Sequence, residues 1–368
     1  MTWIEDMWWR EETGAAHRAL LVPLIAAEGI FRAGAAARGA LYRSGLVRQE
    51  RAGAPVISLG NLAVGGAGKT PAAIAVAERL LARGRRVAVL SRGYGARRSD
   101  PRLVSDGTRV LLGADEAGDE PLLIARRLPR VAVLCGVRRV ELARRAVSEL
   151  RADVLVLDDG FQHRALFRDA DVVVLDAANP SGNGRLLPLG PNREPWCALG
   201  RAHLAWLSRT DQASPEALEA LRAQVREATG RPPVESRHAV EDVLDGSLAR
   251  PFGGDALRGR RVLLLCALAR PEGFRRTLAV LGAEVGAERV FRDHHAFQEE
   301  EIREALRVAE RAGCEAVVTT EKDAVRLPAR LAGDPRWRVV RISSRITSGA
   351  EILDELLDAA LGSGAQRR

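Results

Sequence analysis

The stretch VISLGNLAVGGAGKTPAAIAVAERLLARG, residues 56–84, decides the fold class. It begins with a short apolar run, passes through a glycine-rich loop that ends in Gly68-Lys69-Thr70, and continues as an alanine-rich amphipathic segment that Gly84 stops. In a P-loop, glycines let backbone N–H groups turn toward phosphate oxygens, and the N-terminus of the following helix adds its positive dipole. The stretch therefore predicts a nucleotide-phosphate site between a strand and a helix.

The loop itself, GNLAVGGAGKTP at residues 60–71, departs from the pattern G-x-x-x-x-G-K-[ST] because Ala63 stands where the first glycine is usual. Two glycines later in the loop, Gly65 and Gly66, compensate for the missing glycine at position 63. We expect Lys69 to neutralise the β- and γ-phosphates of ATP and Thr70 to offer its hydroxyl to Mg²⁺. The residues expected to contact the nucleotide are Ala63, Val64, Gly65, Gly66, Ala67, Gly68, Lys69 and Thr70.

A second apolar run, DVLVLDDG at residues 153–160, ends in the acidic pair Asp158-Asp159. A carboxylate at the end of a strand beside a P-loop holds magnesium, directly or through water. Turn chemistry with Gly160 is the other explanation of the pair, and the P-loop favours the metal site. Gln162 follows at the same edge of the predicted sheet.

Short apolar runs alternate with amphipathic stretches from Pro55 onward, which indicates a mostly parallel sheet with helices on both faces. The stretch ASPEALEALRAQVREATGRPP reads as a helix that begins after Ser214 and ends at Gly230, and a second, smaller α/β series starts with RVLLLCALA. We therefore expect a segment at 1–48, a nucleotide-binding core at 49–230, a linker at 231–260 and a C-terminal α/β domain at 261–368.

The net charge of +8 favours an acidic partner, although a general preference for arginine explains it equally well. All but two of the 56 basic residues are arginine, and the exceptions are Lys69 and Lys322. If arginine replaces lysine wherever it can, the two remaining lysines mark places that need a compact ammonium. Lys322, in TTEKDAVRL, is therefore a candidate site residue.

Residues 1–48 hold half of the six tryptophans, Trp3, Trp8 and Trp9, followed by the apolar stretch ALLVPLIAAEGIF. That stretch is shorter than the roughly 20 apolar residues that span a bilayer. Tryptophan beside a short apolar helix and arginines is typical of a segment in the membrane interface, and packing on the protein's own core is the alternative. Four unpaired cysteines predict a reducing compartment and no zinc site, and no nucleic-acid-binding signature is found.

Two acidic motifs carry weaker signals. GADEAGDEPLLIA places Asp119 and Glu120 where a helix starts, which is also the usual place for residues that match the helix dipole. FRDHHAF places Asp293 beside His294, and a carboxylate next to a histidine can orient and charge it. Histidines in exposed loops are nonetheless common.

Seven motifs together resemble the tetraacyldisaccharide 4'-kinase family of lipid A biosynthesis: GNLAVGGAGKTP, SRGYG, GDEP, LDDGFQHR, GNGRLLPLGPNREP, DHHAF and TEKDAVRL, in this order. The resemblance implies transfer of the ATP γ-phosphate to the 4'-hydroxyl of an acylated glucosamine disaccharide 1-phosphate. It implies that Asp119 deprotonates the hydroxyl, that His294 pairs with Asp119, and that Lys69 contacts the phosphates. The metal candidates are Thr70, Asp158 and Asp159, and the further candidates are Lys322 at the nucleotide, Gln162, Arg92, Glu120 and Asp293.

The same resemblance implies an N-terminal membrane-associating helix, a monomer, and a place on the cytoplasmic face of the bacterial inner membrane. A P-loop switch or assembly ATPase at the membrane surface is the alternative. A GTPase would need N/T-K-x-D, and in TEKD the lysine stands directly before the aspartate. Partition-type ATPases carry a lysine early in the loop, where this chain has Val64.

Overall fold

Twelve strands form one continuous sheet in the part of the chain that the structure, a computed structural model, describes: residue 8 and residues 15–97 and 100–365. Trp3 and Trp9 of the predicted interface segment lie outside these residues. The strands are β1 (Val56–Gly60), β2 (Val87–Ser91), β3 (Arg102–Asp106), β4 (Ala132–Cys135), β5 (Val154–Asp158), β6 (Ala170–Asp176), β7 (Leu204–Ser208), β8 (Val234–Leu244), β9 (Arg261–Cys266), β10 (Glu284–Val290), β11 (Ala316–Thr320) and β12 (Trp337–Ser348).

Helices cover both faces of this sheet. They are α1 (Ala15–Arg43), α2 (Lys69–Ala82), α3 (Ala114–Ala117), α4 (Asp119–Arg127), α5 (Arg139–Ser148), α6 (Pro215–Thr229), α7 (Glu272–Val280), α8 (Glu299–Arg311), α9 (Glu321–Ala324), α10 (Ala329–Ala332) and α11 (Ala350–Ala365). Short 3₁₀ turns occupy Trp196–Arg201, Thr210–Gln212 and Gly254–Leu257. The helix predicted after Ser214 is confirmed as α6, where the Ser214 side chain accepts a hydrogen bond from the N–H of Ala217 and Gly230 ends the helix with a φ of 70°.

The strand order is β10-β9-β11-β12-β8-β7-β6-β1-β5-β2-β4-β3, and neighbouring strands are parallel except in the pairs β3/β4 and β8/β12. The predicted α/β fold with a mostly parallel sheet and helices on both faces is confirmed. Parallel strands place their carboxyl ends at one edge of a sheet, where such folds bind ligands. The P-loop after β1 and the acidic pair after β5 therefore lie side by side, because β1 and β5 are paired.

Strand β8 lies inside residues 231–260, where the sequence suggested a linker. It pairs with β7 through Val234 and Glu235, and it runs antiparallel to β12 along most of its length. The sheet is thus continuous from the first half of the chain to the second. The stretch ESRHAVED within β8 has no apolar run, and backbone pairing with β12 holds it as a strand despite its polar side chains.

Helix α11 returns from the second half of the chain to the first. Its Leu353 and Leu357 are fully buried in the core cluster that includes Ala73 of α2. Arg79 of α2 donates to both carboxylate oxygens of Asp354 at 2.9 Å. The end of the chain therefore packs beside the helix that begins at the P-loop.

Candidate active site

The P-loop is held by a neighbouring segment that spans residues 182–195. The N–H of Val64 donates to the Pro191 carbonyl at 2.8 Å, and Ala63 forms an antiparallel bridge with Asn192. Because a bridged residue is extended, a side chain at position 63 fits without the freedom of glycine. This pairing explains why Ala63 can replace the usual first glycine.

Two glycines in the loop have a backbone that other residues rarely adopt: φ is 99° at Gly65 and 81° at Gly68. A Cβ on Gly68 would also lie 2.8 Å from Nε2 of His238 in β8. The Ser208 hydroxyl at the end of β7 donates to the Ala67 carbonyl at 2.7 Å, which fixes the loop from its other side. The N-terminus of α2 is thereby presented toward the sheet edge.

Lys69, the first residue of α2, places its ammonium 3.3 Å from the Gly65 carbonyl and 3.5 Å from Oδ1 of Asp159. The next residue, Thr70, is buried beneath the loop. The structure therefore brings the predicted lysine, hydroxyl and acidic pair to one place. A phosphate lying over the loop would meet backbone N–H groups, the helix dipole and this ammonium.

The two aspartates of the acidic pair have opposite environments. Arg193 donates to both oxygens of Asp159, at 3.0 and 2.9 Å. Burial raises the pKa of Asp159, but Lys69 and Arg193 outweigh it and hold that pKa at about 2. Asp159 is therefore a permanent anion that orients Lys69 and Arg193.

Asp158 is 1% exposed, and neither of its carboxylate oxygens has a hydrogen-bond partner among the described residues. Burial, followed by the nearby charges of Glu120 and Asp159, raises the pKa of Asp158 to about 8. A buried carboxylate that lacks partners is expensive unless a cation or a proton compensates it. The two carboxylate oxygens of Asp158 are ligands of the kind that a divalent cation such as Mg²⁺ prefers.

Within the described residues, no group of three or more His, Cys, Asp or Glu side chains is arranged to hold a metal. Magnesium commonly takes one or two protein oxygens and completes its shell with water and substrate phosphates. Thr70 and Asp158 therefore suit a magnesium ion that arrives with a nucleotide.

Across the cleft, Asp119 and His294 meet although 175 residues separate them in sequence. Asp119 begins α4 after Gly118, where any Cβ would lie 2.5 Å from the Tyr94 carbonyl of the SRGYG loop. Nδ1 of His294 lies 2.9 and 3.1 Å from the two oxygens of Asp119, and φ of His294 is 59°. The Tyr94 ring packs 4.8 Å from the His294 ring.

Lys322 lies on the far side of the His294 ring. Its ammonium is 3.3 Å from Nε2 of His294, 3.0 Å from Oδ1 of Asp293 and 3.9 Å from Oδ2 of Asp119. An ammonium can only donate, so Nε2 accepts and the ring proton resides on Nδ1, directed at Asp119. Lys322, found by the scarcity of lysine, therefore selects the tautomer of His294.

Asp119 remains ionised although it is 4% exposed. Burial raises the pKa of Asp119. The hydrogen bond from His294 and the charges of Lys322 and Arg326 lower it by more, so the net shift is downward. The charge of Glu120, the residue after Asp119, raises the pKa of both Asp158 and Lys322 and so acts on both clusters. The two clusters form one site.

Gln162 holds the edge of the site together. Its amide nitrogen donates to the Asn61 carbonyl at 2.9 Å and to Glu194 at 3.1 Å, and its amide oxygen accepts from Arg193 at 3.4 Å. Arg92, in the SRGYG loop, has an exposed side chain.

Three arginines of the site were not predicted from the sequence: Arg139, Arg193 and Arg326. Arg139 is 4% exposed at the start of α5. Burial and the charge of Arg92 lower its pKa to about 10, while Asp159 and Asp158 act in the opposite direction. In a chain in which nearly every cation is arginine, a single arginine carries no signal, and only the positions of Arg193 and Arg326 within the motifs GNGRLLPLGPNREP and TEKDAVRL could have indicated them.

These features define the class: a P-loop phosphotransferase with a carboxylate–histidine pair opposite the phosphate loop. The family model described as "Tetraacyldisaccharide-1-P 4'-kinase" matches residues 18–362. The chain therefore belongs to the tetraacyldisaccharide 4'-kinase family, as its motifs predicted.

Proteins named "Tetraacyldisaccharide 4'-kinase" are similar over most of their length. The protein of Anaeromyxobacter sp. (strain Fw109-5) is 68% identical over 99% of this chain and 98% of its own, and that of Geobacter sulfurreducens is 39% identical over 88% of each. The crystal structure of the "apo" form of LpxK from Aquifex aeolicus in complex with ATP is 30% identical, with a TM-score of 0.74 over 94% of this chain and 99% of that one.

Asp158→Asn is expected to stabilise the nucleotide-free protein at pH 8 and to weaken its response to Mg²⁺. Because folding raises the pKa of Asp158, wild-type stability falls as pH rises from about 4 through about 8, and the asparagine variant lacks this loss. The measurement is thermal unfolding of both proteins from pH 5 to 8.5. A difference in Tm that stays constant with pH, or a less stable variant at pH 8, would contradict the assignment.

Proposed function

We propose that this chain transfers the γ-phosphate of ATP to the 4'-hydroxyl of a tetraacyldisaccharide 1-phosphate and so forms lipid IVA in lipid A biosynthesis. Family membership supports the reaction. The single observation that carries the mechanism is the contact between Asp119 and His294 beside the phosphate loop. A sugar hydroxyl is a weak nucleophile, and the chain offers it an ionised buried base.

Asp119 is the group that accepts the proton as the 4'-oxygen attacks phosphorus. Its ionised form is available at neutral pH because its pKa is lowered. His294 donates a hydrogen bond through Nδ1–H to Asp119 and so keeps the carboxylate oriented for the hydroxyl. Lys322, held by Asp293, fixes His294 in turn.

Lys69 neutralises charge on the transferring phosphoryl group, and Asp159 with Arg193 keeps its ammonium over the loop. Thr70 and Asp158 are the residues that would hold magnesium, which supplies further neutralisation of the phosphate oxygens when it is bound. The backbone of residues 63–68 surrounds the phosphates. Gln162 holds Arg193 and the loop in position through its hydrogen bonds. Arg92 and Glu120 lie beside the space for the acceptor.

Helix α1 supports a place at a lipid surface. Glu28 docks it by accepting from the N–H of Leu186 at 2.9 Å, and Arg38 donates to the Gln162 carbonyl at 3.0 Å. The large apolar side chains Ile25 and Ile30 point outward instead, with exposures of 49% and 76%. A helix that packs through polar residues and exposes apolar ones suits a membrane interface.

No helix among the described residues is long and apolar enough to cross a bilayer. We propose peripheral association with the cytoplasmic face of the bacterial inner membrane, where the acylated acceptor would be reached, and action as a monomer without nucleic acid. We further propose that the core at 49–230 and the α/β unit that begins at 261 together enclose the acceptor, since Asp119 and His294 come from either side.

Asp119→Asn and His294→Ala are each expected to lower kcat, the former by about 10²–10⁴-fold, because general-base catalysis contributes on that order. Affinity for ATP should be retained, since neither residue contacts the P-loop. The assay follows phosphate transfer from γ-labelled ATP to the disaccharide lipid, with ATP binding measured separately. Turnover near the wild-type rate in either variant would remove that residue from the mechanism.

The same assay without lipid separates the kinase from the switch ATPase. ATP consumption should depend on the acceptor and give one phosphorylated lipid for each ATP. Hydrolysis at the same rate without lipid, with no phosphorylated product, would favour the ATPase.

The double variant Ile25→Ser/Ile30→Ser is expected to lose binding to anionic phospholipid vesicles, because both side chains leave water when α1 enters the interface. The measurement is vesicle co-flotation. Val280→Ser is the matched control, since Val280 is 84% exposed on α7, away from α1. Equal flotation of the double variant and the wild type would rule out α1 as the contact.

A further inference from the structure

Arg326 connects three parts of the active site that lie far apart in sequence. Its side chain is 8% exposed. One guanidinium nitrogen lies 2.5 Å from Oδ1 of Asp323 and 3.6 Å from Oδ2 of Asp119, and the other donates to the His295 carbonyl at 2.6 Å. It therefore touches α9, the start of α4 and the segment that carries His294.

Asp323 anchors this arginine. It is fully buried and accepts hydrogen bonds from the Thr320 hydroxyl at 2.8 Å and from the N–H of Ala267 at 3.2 Å. These bonds fix the carboxylate to the ends of β11 and β9. Because a guanidinium is planar and rigid, fixing one of its edges also fixes the direction of the other.

The segment that Arg326 holds is strained. His294 has a φ of 59°, which a residue with a Cβ rarely adopts, and the held carbonyl belongs to the next residue. His295 is anchored on its own side by Glu301 at 2.8 Å and by stacking on Phe291, and Arg326 also lies 5.5 Å from the centre of the Phe297 ring. The contacts around His294 thus keep the conformation that directs its ring at Asp119.

We propose that Arg326, held by Asp323, is a positioning residue that aligns Asp119 and His294 and keeps Asp119 in the anionic form that accepts the acceptor's proton. This inference rests on the proposed role of Asp119 as base. The charged groups that face Asp119 are His294, Lys322 and Arg326 from the second half of the chain, with Glu120 beside it on α4 and Asp293 behind Lys322. Removing Arg326 deletes one of the three side chains that offset the charge of Asp119.

The test is the pH dependence of kcat for lipid phosphorylation in Arg326→Met/Asp323→Asn, Arg326→Lys and Arg330→Gln. The first variant removes both members of the buried pair, so that neither partner is left behind as an unpaired buried charge. Arg326→Lys keeps the charge. Arg330→Gln is the control, because Arg330 is a nearby arginine that is 72% exposed.

The double variant should shift the acid limb of the kcat profile upward, by less than the roughly one pH unit that a single partner's charge is worth at a buried carboxylate, because Asp323→Asn also removes a negative charge. Raising the pH should restore most of the rate, and KM for ATP should not change. Arg326→Lys should keep the wild-type acid limb, as should Arg330→Gln. Thermal unfolding checks that each variant is folded.

A double variant with an unmoved acid limb, whether its rate is normal or lowered equally at every pH, overturns the inference that Arg326 keeps Asp119 anionic, because a merely structural role would produce those results. If the proposed function itself is wrong, the experiments give different results. In that case Asp119→Asn itself would retain turnover, or the wild type would not phosphorylate the disaccharide lipid. Loss of activity in Asp119→Asn together with an unmoved limb in the Arg326 variants would overturn this inference alone.

Discussion

The buried carboxylate of Asp119 is the constraint on which the rest of the site depends. An ionised carboxylate out of water is unfavourable unless opposite charges and hydrogen bonds surround it. The compensating side chains, those of His294, Lys322 and Arg326, belong to the second half of the chain, and the N–H of Glu120 adds one local hydrogen bond. The two halves must therefore meet at Asp119, and the continuous sheet and the return of α11 hold them in that relation.

Three aspartates at one edge of the sheet acquire three different states from their surroundings. Asp119 has a lowered pKa through His294 and two cations, and Asp159 is held at about 2 by Lys69 and Arg193. Asp158 has no hydrogen-bond partner among the described residues, and its pKa is raised to about 8. The same side chain is thus suited to accept a proton, to orient cations or to receive a metal, according to what the fold places beside it.

The sequence predicted those parts of the fold and of the site whose signal lies within a short stretch of residues. The strand–loop–helix at 56–84 predicted the P-loop and its place in a parallel sheet, and the rarity of lysine singled out Lys322. Strand β8 was missed because its side chains are polar and its pairing partner, β12, lies about a hundred residues away in sequence. The difference between Asp158 and Asp159 depends on Arg193, which reaches only one of two adjacent carboxylates, and no pattern in DVLVLDDG contains that information.

The most direct test of this account is the protonation state of His294, read by ¹⁵N NMR of protein labelled at its six histidines and assigned with His294→Gln. The account predicts that at neutral pH Nδ1 carries a hydrogen-bonded proton and Nε2 carries none. It also predicts that Asp119→Asn shifts the Nδ1 signal. A His294 spectrum unchanged by Asp119→Asn would contradict the contact between the two halves from which the site is built, and a proton on Nε2 would contradict the hydrogen bond that Lys322 donates there.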